Sequence, residues 1–312
     1  MKMINKFNNH LTKLRSREYR VGFVPDYCYG EKFDYKKVRW IDKDGYVDGW
    51  FADPFILNVS EKEIQLLVEE WYYPINRGRI SLLTVYADTF KLKEVKEVLT
   101  EKFHLSFPYI YNIKCGESDI TYVVPESYQS GGVYAYVYDY ESRSLLSPQL
   151  LVKSPLLDVQ IFNHNGMFYL MGVENKTEDM RDFNRLEVYE SDNFLGPYNH
   201  MQTLTSDSLD RRGAGQIFRW NNKIIRPSQY CTEDDYGIGV IFKDIQVEGN
   251  RYSENDIDMI LPVRNMSGGL VLHTYNQNGR LAVIDGNEFV YGKLGRLVEY
   301  AVKCFKRIAG TL

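Results

Sequence analysis

The amino-acid sequence predicts an all-β protein, folded as a five-bladed β-propeller with a short C-terminal amphipathic helix. Three observations support this prediction. Aromatic residues make up 14% of the 312-residue chain, and aromatic side chains favour β-strands. Five segments resemble one another, each an apolar run, a polar turn and a second apolar run that ends on a polar side chain. They recur with a period of about 54 residues, and a repeat of this length that holds about four short strands is typical of a propeller blade.

Each of the five repeats begins with a predicted β-hairpin. The hairpins cover residues 52–70, 107–127, 157–175, 215–229 and 269–286. The equivalent aliphatic side chains that set the period are Ile56, Ile110, Ile161, Ile217 and Leu272. The pairs Asn165-Gly166, Asn221-Asn222 and Asn278-Gly279 favour two-residue hairpin turns. Further strand-like runs lie between the hairpins, at residues 80–86, 133–140, 186–190 and 238–247.

The two ends of the chain complete the predicted fold. Residues 19–24 could supply the strand that closes the ring, so residues 1–312 are expected to form a single domain. Residues 293–308 carry apolar side chains at helical spacing with Lys and Arg between them, which predicts a basic amphipathic helix. This helix either packs on the propeller or contacts an anionic membrane surface. The alternative to a propeller is a β-sandwich, which gives no reason for the repeat period.

Composition and charge exclude several classes of function. With 44% hydrophobic and 26% charged residues the chain has the composition of an ordinary globular protein, and a net charge of −4 argues against a nucleic-acid partner. The four cysteines are widely spaced and predict no zinc site. We find no secretion signal and no apolar stretch long enough to cross a bilayer. The sequence therefore predicts a cytoplasmic protein, at most peripheral to the inner face of the membrane.

Carboxyl groups recur at equivalent positions of the repeats. Asp53 and Asp158 each lie three residues before the marker isoleucine, where the second repeat has Phe107. The ends of the next strands carry Glu70, Glu126, Glu174, Gln229 and Asp285. A propeller brings equivalent positions of its blades to one central funnel. A pair of carboxyl groups there, one ionised and one protonated, can make or break a glycosidic bond. We therefore take Asp53, Asp158, Glu126 and Glu174 as candidate catalytic residues, although each could equally be a turn or strand-end residue.

Short motifs resemble two groups of carbohydrate-active proteins. Residues 50–54, followed two repeats later by Leu157-Asp158, resemble the five-bladed glycoside hydrolases of families 43 and 32. In those enzymes an Asp of the first blade is the base or nucleophile and an Asp two blades on supports the acid, which implies these roles for Asp53 and Asp158. A closer resemblance is to the N-terminal domain of plant glucosamine inositolphosphorylceramide transferases and their bacterial relatives. Its motifs are residues 104–108, 124–127, 191–198, 212–215, 226–237 and 270–276.

One departure from the family-43 pattern favours glycosyl transfer over hydrolysis. The start of the fourth repeat, where those hydrolases carry the acid Glu, has Arg211 and Arg212. A guanidinium cannot donate the leaving-group proton at neutral pH, but it can hold a phosphate. The sequence therefore predicts a glycosyltransferase of surface-polysaccharide or glycolipid biosynthesis, with a phosphate-activated sugar donor and a glycan or lipid-linked acceptor. The alternatives are an intracellular hydrolase with Glu126 or Glu174 as acid, and a glycan-binding propeller without catalysis.

Further residues are candidates for contact with a substrate. Trp50 suits stacking on a sugar face. Gln229 and Tyr236 are polar contacts by the resemblance. His273 stands at the funnel-facing position of the fifth repeat, where the resemblance implies a central cation beside it. A buried histidine that is hydrogen-bonded to a neighbouring blade is the alternative.

Overall fold

The computed structural model describes residues 15–116, 118–174, 183–232, 236–261 and 271–291. Twenty strands form five four-stranded antiparallel sheets, each of them one blade. The predicted all-β, five-bladed propeller is therefore confirmed. The predicted C-terminal helix at residues 293–308 lies outside the described residues. Within the described residues, none of the helices has the length and apolar character needed to cross a membrane.

Four of the blades are built from strands that follow one another in the chain. The first contains β3 (Gly49–Val59), β4 (Glu63–Tyr72), β5 (Arg77–Tyr86) and β6 (Leu92–Leu99), and the second contains β7 (Ser106–Cys115), β8 (Ser118–Glu126), β9 (Val133–Asp139) and β10 (Ser144–Val152). The third contains β11 (Leu156–His164), β12 (Met167–Glu174), β13 (Arg185–Ser191) and β14 (Asn199–Thr205). The fourth contains β15 (Phe218–Trp220), β16 (Lys223–Tyr230), β17 (Gly239–Glu248) and β18 (Arg251–Ile260). Short 3₁₀ turns cover Tyr35–Lys37, Tyr73–Ile75 and Tyr128–Ser130.

The fifth blade joins the two ends of the described chain. Its order is β19-β20-β1-β2, in which β19 (Val271–Asn278) and β20 (Leu281–Tyr291) come late in the sequence, and β1 (Arg15–Pro25) and β2 (Arg39–Trp40) come early. β1 pairs with β20 along its whole length. The expectation that residues 19–24 close the ring is thus confirmed, and the closure consists of backbone hydrogen bonds between the two ends.

The predicted hairpin turns differ in detail from one another. Asn165 and Gly166 both have positive φ (52° and 85°), as do Asn221 and Asn222 (47° and 62°), so each pair forms the two-residue turn that the sequence favours. In the fifth blade Asn278 pairs with Leu281, and the turn residues are Gly279 and Arg280, one position later than expected.

A backbone bulge recurs in the first, innermost strand of four blades. Asp53, Phe107 and Asp158 adopt left-handed φ values of 49°, 42° and 45°, and Leu272 one of 81°, each where the strand register shifts. The predicted equivalence of Asp53, Phe107 and Asp158 is therefore confirmed. The predicted equivalence of Leu272 with Ile56 is wrong, because Leu272 takes the Asp53 position at the bulge, three residues earlier in the repeat. The fifth-blade bulge also contains one residue more than the others.

Apolar side chains fill the spaces between the blades. The largest core cluster runs from Phe55 in the first blade through Tyr109 in the second to Ile161 in the third. The Tyr109 hydroxyl is buried within it and donates a hydrogen bond to the carbonyl of Ile161 at 2.7 Å. These contacts fix neighbouring inner strands against each other, so the bulges of different blades are held at one end of the central channel.

Candidate active site

A pocket of about 410 Å³ lies at the channel end that carries the bulges. Residues from all five blades line it, so positions far apart in sequence face one space. The lining residues are Tyr19, Trp50, Ala52, Asp53, Glu69, Trp71, His104, Ser106, Glu126, Tyr128, Leu157, Phe183, Arg212, Tyr236 and His273. Six of the ten residues that the sequence singled out are among them.

Carboxyl groups of neighbouring blades cap the bulges. Asp53 Oδ2 accepts a hydrogen bond from the N–H of Phe107 at 3.1 Å, and Glu126 Oε2 accepts one from the N–H of Asp158 at 3.0 Å. In the same way Asp285 Oδ2 accepts from the N–H of Asp53 at 2.8 Å. A buried N–H must find an acceptor, so these carboxyl groups also hold the ring together. Their orientation in the pocket is consequently fixed by backbone contacts.

His273 lies between two of these carboxyl groups. Its Nδ1 is 3.2 Å from Asp285 Oδ2 and 3.4 Å from Asp53 Oδ1, and its Nε2 is 3.0 Å from the Tyr236 hydroxyl. Burial opposes the charge on His273, but the carboxylates of Asp285 and Asp53 outweigh it and raise its pKa. Burial also acts to raise the pKa of Asp285, yet His273 and the hydrogen bonds that Asp285 accepts hold it below its usual value. The pair is therefore a buried imidazolium and carboxylate.

Of the two carboxyl groups beside His273, that of Asp53 is the one that can change charge near neutral pH. Burial raises the pKa of Asp53 to about 7. The nearby His273 opposes this rise, and the carboxylates of Asp285 and Asp158 add to it. Asp53 is thus ionised in part of the molecules at neutral pH, as a base or nucleophile requires.

The cation that the resemblance implies beside His273 would lie among these three residues. One ligand atom from each of Asp53, His273 and Asp285 lies within 4.8 Å of the others. However, both oxygens of Asp285 already accept hydrogen bonds, from Thr274 and from Asp53. A cation at this position would have to replace the proton of His273 Nδ1, which faces both carboxyl groups. The cation beside His273 stays a prediction from the sequence.

Arg212 lies between the two other candidate carboxyl groups. Its Nε donates to Asp158 Oδ2, and its Nη2 is 3.3 Å from Glu126 Oε2. Gln229 donates a further hydrogen bond to Asp158 Oδ2 at 2.9 Å, from directly behind the pocket wall. The rings of Phe183 and Tyr236 flank the guanidinium, with centroids 4.8 and 5.0 Å from Cζ. Despite its burial, the surrounding charges raise the pKa of Arg212, so its charge is permanent.

Glu126 is the protonated member of this group. Burial is the main cause that raises the pKa of Glu126 well above its usual value, the Asp158 carboxylate adds to the effect, and Arg212 opposes it. One guanidinium faces two buried carboxyl groups, and it neutralises only one of them. The geometry therefore combines a fixed ion pair, Arg212 with Asp158, and an adjacent carboxylic acid, Glu126.

Comparison with known proteins assigns the chain to a family. The family model described as "Glucosamine inositolphosphorylceramide transferase 1, N-terminal" matches residues 37–277. The chain belongs to this family. The relatives from rice (Oryza sativa subsp. japonica) and Arabidopsis thaliana, both named glucosamine inositolphosphorylceramide transferase 1, are 24% identical over 284 residues and 26% over 264 residues. The matches cover 84% and 80% of this chain but only 37% and 34% of those relatives.

Solved structures share the fold of this family member. A β-1,3-galactosidase of family GH43 superposes with a TM-score of 0.51 at 8% identity, covering 76% of this chain and 90% of the other. An exo-β-1,3-galactanase from Phanerochaete chrysosporium gives 0.50 at 10% identity, covering 68% and 50%. An α-L-arabinanase from Cellvibrio cellulosa gives 0.50 at 13% identity, covering 67% and 78%. At these identities the likeness shows the propeller fold alone.

Four of the ten sequence candidates are not among the residues that line the pocket in this member of the glucosamine inositolphosphorylceramide transferase N-terminal family. Two of them, Asp158 and Gln229, are buried next to the pocket residue Arg212, which binds Asp158. The other two, Arg211 and Glu174, have different partners. Arg211 points into the fourth blade, where its Nη1 contacts Glu254 at 2.8 Å and its Nε lies 3.7 Å from Asp210. Arg211 therefore pairs with acidic residues of the fourth blade and is not one of the pocket-lining residues. Glu174 accepts a hydrogen bond from Ser154 at 3.1 Å and is not among the described residues that line the pocket.

Strand register explains which glutamates face the pocket. Glu126 pairs with Ser106, directly before the second-blade bulge, whereas Glu174 pairs with Leu156, two positions before the third-blade bulge. Because side chains alternate along a strand, a shift of one position reverses the face. The first blade follows the same rule. Glu69 pairs with Ala52 and faces the pocket, whereas Glu70 pairs with Phe51 and binds Arg79 and Ser81 on the other side.

Further residues complete the pocket wall beside those that the sequence singled out as candidates. One of them is Glu69, the equivalent of Glu126 in the first blade, whereas the pattern of strand ends pointed to its neighbour Glu70. The ring of Trp71 stacks on Trp50 with centroids 5.6 Å apart and an angle of 6° between the rings. Trp71 also contacts the ring of His104 at 5.7 Å. Phe183 and Tyr128 complete the aromatic lining. Aromatic side chains are abundant in this chain, and their frequency alone does not separate pocket residues from core residues.

Proposed function

We propose that this chain is a carbohydrate-active enzyme that transfers a glycosyl group in the central pocket. The observation that carries the proposal is that two carboxyl groups of unequal protonation line this pocket. Glu126 has a pKa well above its usual value, whereas Asp53, with a pKa of about 7, can ionise at neutral pH. In glycosidases one protonated and one ionised carboxyl group together break a glycosidic bond.

In this proposal Asp53 is the base or nucleophile and Glu126 the acid. One oxygen of Asp53, Oδ2, is committed to the N–H of Phe107. Its other oxygen, Oδ1, is buried and has no hydrogen-bond partner in the part of the chain that the structure describes. A carboxylate held in this way can take a proton from an acceptor hydroxyl or attack the anomeric carbon. Glu126 then gives its proton to the leaving oxygen, and the Asp158 carboxylate stabilises the positive charge that develops on the sugar.

A phosphate-activated sugar is the donor that we propose. Arg212 is the permanently charged group of the pocket wall, and two of its nitrogens already contact Asp158 and Glu126. Its third nitrogen, Nη1, has no carboxylate contact within the described ranges and could donate to a phosphate oxygen. The plant relatives are named transferases, which supports transfer rather than hydrolysis.

The proposed acceptor is a surface polysaccharide or a lipid-linked glycan. The name of the plant relatives contains inositolphosphorylceramide, a phosphorylated lipid, which supports a lipid-linked acceptor. A cytoplasmic location at the inner face of the membrane, with contact through residues 293–308, stays a prediction from the sequence. The plant relatives extend well beyond the matched part, so their activity is carried over here as a proposal only.

A hydrolase is the second candidate, and one observation favours it. The ion pair with Asp158 already neutralises Arg212, so a phosphate would have to compete with a carboxylate for the guanidinium. A protonated Glu126 could serve a neutral glycoside without any phosphate. A non-catalytic glycan-binding propeller is the third reading, because a propeller fold alone does not imply catalysis.

A thermal-shift screen against nucleotide sugars, sugar phosphates and neutral oligosaccharides tests the proposal. A ligand at 100 times its dissociation constant stabilises the folded state by about 2.7 kcal/mol. The screen is repeated on Arg212→Lys, which keeps the charge but loses the planar fork, and on Arg211→Lys as a matched control outside the pocket. We expect stabilisation by a phosphorylated donor that is lost in Arg212→Lys only. Stabilisation by neutral oligosaccharides alone, unchanged in both variants, would favour the hydrolase or the binding propeller.

A further inference from the structure

Segment 211–215 carries Arg212 to the pocket but is not part of a long inner strand. The inner strand of the fourth blade, β15, begins only at Phe218, six residues after Arg212. An isolated bridge from Gly213 connects the segment to β16. On its other side the segment lies against the third blade, where a Cβ atom at Gly213 would be 2.5 Å from the carbonyl oxygen of Asp158. The position of Arg212 therefore depends on the contacts that hold this segment.

All five carbonyl groups of segment 211–215 accept hydrogen bonds, and three of these bonds come from side chains. Arg226 Nη1 donates to the carbonyl of residue 211 at 3.2 Å. Gln229 Nε2 donates to that of residue 213 at 2.9 Å, and Gln160 Nε2 donates to that of residue 215 at 2.6 Å. The backbone N–H groups of Gln229 and Tyr275 donate to the carbonyls of residues 212 and 214. Side chains therefore supply bonds that a neighbouring strand supplies elsewhere in a sheet.

The three donor side chains are themselves held in place. Gln160, Arg226 and Gln229 are each at most 1% exposed, and none of them lines the pocket. Gln160 Oε1 accepts a hydrogen bond from Arg226 Nη1 at 3.0 Å. Glu254, in β18, binds Arg226 through both of its carboxylate oxygens. Burial alone would raise the pKa of Glu254, but Arg226 lowers it to about 2, so this carboxylate stays ionised and fixes Arg226.

Gln229 also connects the segment to the partner of Arg212. Its Nε2 donates to Asp158 Oδ2 at 2.9 Å as well as to the carbonyl of residue 213. Arg212 Nε donates to the same oxygen of Asp158, and Arg212 Nη2 lies 3.3 Å from Glu126 Oε2. Hydrogen bonds between charged groups need short distances and good alignment, so a shift of the segment would weaken both contacts.

We propose that Gln160, Arg226 and Gln229 are positioning residues of the candidate active site. They hold segment 211–215 at the level of the channel where Arg212 meets the two carboxyl groups that it contacts. None of the three lines the pocket, so each acts through Arg212. This inference rests on the proposed function, because that function uses Arg212 as the charged group beside the acid. A change at any of the three should loosen Arg212 before it disturbs the rest of the propeller.

Hydrogen exchange of arginine side chains, followed by NMR spectroscopy, tests the proposal without any substrate. The probe is the Nε–H group of Arg212, whose signal is identified by its loss in Arg212→Lys. Gln160→Met removes the side-chain hydrogen bonds of one positioning residue with little change in volume and no change in charge. We expect the Arg212 Nε–H to exchange roughly tenfold faster or more in Gln160→Met than in the wild-type protein. The Nε–H of Arg79, which donates to Glu70 at 2.8 Å in the first blade, should change by less than about twofold.

Two further variants separate positioning from a general loss of stability. Gln229→Met removes the bond to a different carbonyl of the same segment and should also accelerate the exchange of Arg212. Gln202→Met is the matched control. Gln202 accepts a hydrogen bond from the N–H of Tyr252 at 3.0 Å, between the same two blades, and in the part of the chain that the structure describes it has no bond to the segment. This variant should leave the exchange of Arg212 within about twofold of wild type.

Other outcomes overturn the positioning role and the proposed function separately. An Arg212 signal as well protected in Gln160→Met and Gln229→Met as in the wild-type protein overturns the positioning role. Equal acceleration of Arg79 and Arg212 also overturns it, because the substitutions then act on the whole fold. Because the two variants act on different carbonyl groups, folding of either one is enough for the test. Selective loosening of Arg212 in a protein that converts no sugar would support the positioning role and contradict the proposed function alone.

Discussion

Asp53 and Asp158 occupy the same backbone position in the first and third blades, yet they face different partners. Both lie at the bulge of an inner strand, with φ values of 49° and 45°. Asp53 faces His273 and Asp285, whereas Asp158 is bound by Arg212 and Gln229. An imidazole can lose its proton near neutral pH, but a guanidinium cannot.

This comparison shows that the position in the repeat determines where a carboxyl group lies. Residues of the neighbouring blade determine its chemical role. Asp53, with a pKa of about 7 and one uncommitted oxygen, is suited to proton transfer. Asp158 is held in an ion pair and a side-chain hydrogen bond, and it is suited to fixed electrostatic support. The predictions below test this division of roles, from the largest expected effect to the smallest.

Asp53→Asn is expected to lower turnover by roughly 10³-fold, because an amide can act neither as base nor as nucleophile. Turnover is measured on the sugar donor or glycoside that stabilises the wild-type protein in the thermal-shift screen. The amide keeps an oxygen that can accept the hydrogen bond of Phe107 N–H, so the melting temperature should change little. Activity within tenfold of wild type would break the assignment of Asp53.

Arg212→Met is expected to destabilise the fold by roughly 3 kcal/mol, because it leaves the buried Asp158 carboxylate without its cation. Arg212 also opposes the rise of the Glu126 pKa, so in the variant Glu126 binds its proton still more tightly in the folded state, and stability should fall more steeply from pH 5 to pH 8 than in the wild-type protein. Urea unfolding at both pH values measures this. Arg143→Met removes the exposed partner of Glu94 and should cost less than about 1 kcal/mol. Equal costs for the two variants would contradict the buried ion pair.

His273→Gln is expected to move the pH dependence of the reaction without abolishing it. In the wild-type protein kcat/KM should rise with pH through about 7, as Asp53 loses its proton. His273 lowers the pKa of Asp53, so its removal should shift this rising limb to higher pH and reduce activity at pH 7 by roughly tenfold. A full pH profile of both proteins measures the shift. A limb that stays in place would show that the two groups are not coupled.

Glu174→Gln is expected to change turnover by less than about twofold, since Glu174 contacts Ser154 outside the pocket. Glu126→Gln is the matched change on the pocket side and should lower turnover by roughly 10²-fold or more on substrates with poor leaving groups. The two variants are compared by kcat on the same substrate. A larger loss in Glu174→Gln than in Glu126→Gln would contradict the strand register.

Much of this arrangement could be predicted from the sequence. The period of about 54 residues predicts the five blades, and the alignment of Asp53 with Asp158 predicts their equivalent position in the inner strands, which the structure shows to be a bulge. These features are local or repeated, so they leave a direct trace in the sequence. Ring closure by residues 19–24 could be predicted from the same repeats. The fifth repeat needed further strands to complete its blade.

The remaining features of the site could not be predicted from the sequence, because they depend on strand register and on contacts between blades. The sequence places Glu70 at a strand end, but it is Glu69 that faces the pocket, because the position of a strand end does not reveal which face a residue takes. The same holds for Arg211 and Arg212, adjacent residues of which only Arg212 reaches the pocket. The equivalence expected for Leu272 was wrong for a similar reason, because its apolar side chain does not reveal that it lies at the bulge. The charge state of Asp53 depends on His273, which comes from another repeat altogether.

The most direct test of the account is to incubate wild-type protein, Asp53→Asn and Asp158→Asn with a panel of nucleotide sugars, sugar phosphates and oligosaccharides, and to follow product formation by mass spectrometry. We predict that the wild-type protein converts at least one sugar donor, that Asp53→Asn is inactive although folded, and that Asp158→Asn retains weak activity. A folded wild-type protein that binds oligosaccharides as tightly as Asp53→Asn does, without converting any of them, would contradict a catalytic pocket and leave a glycan-binding propeller.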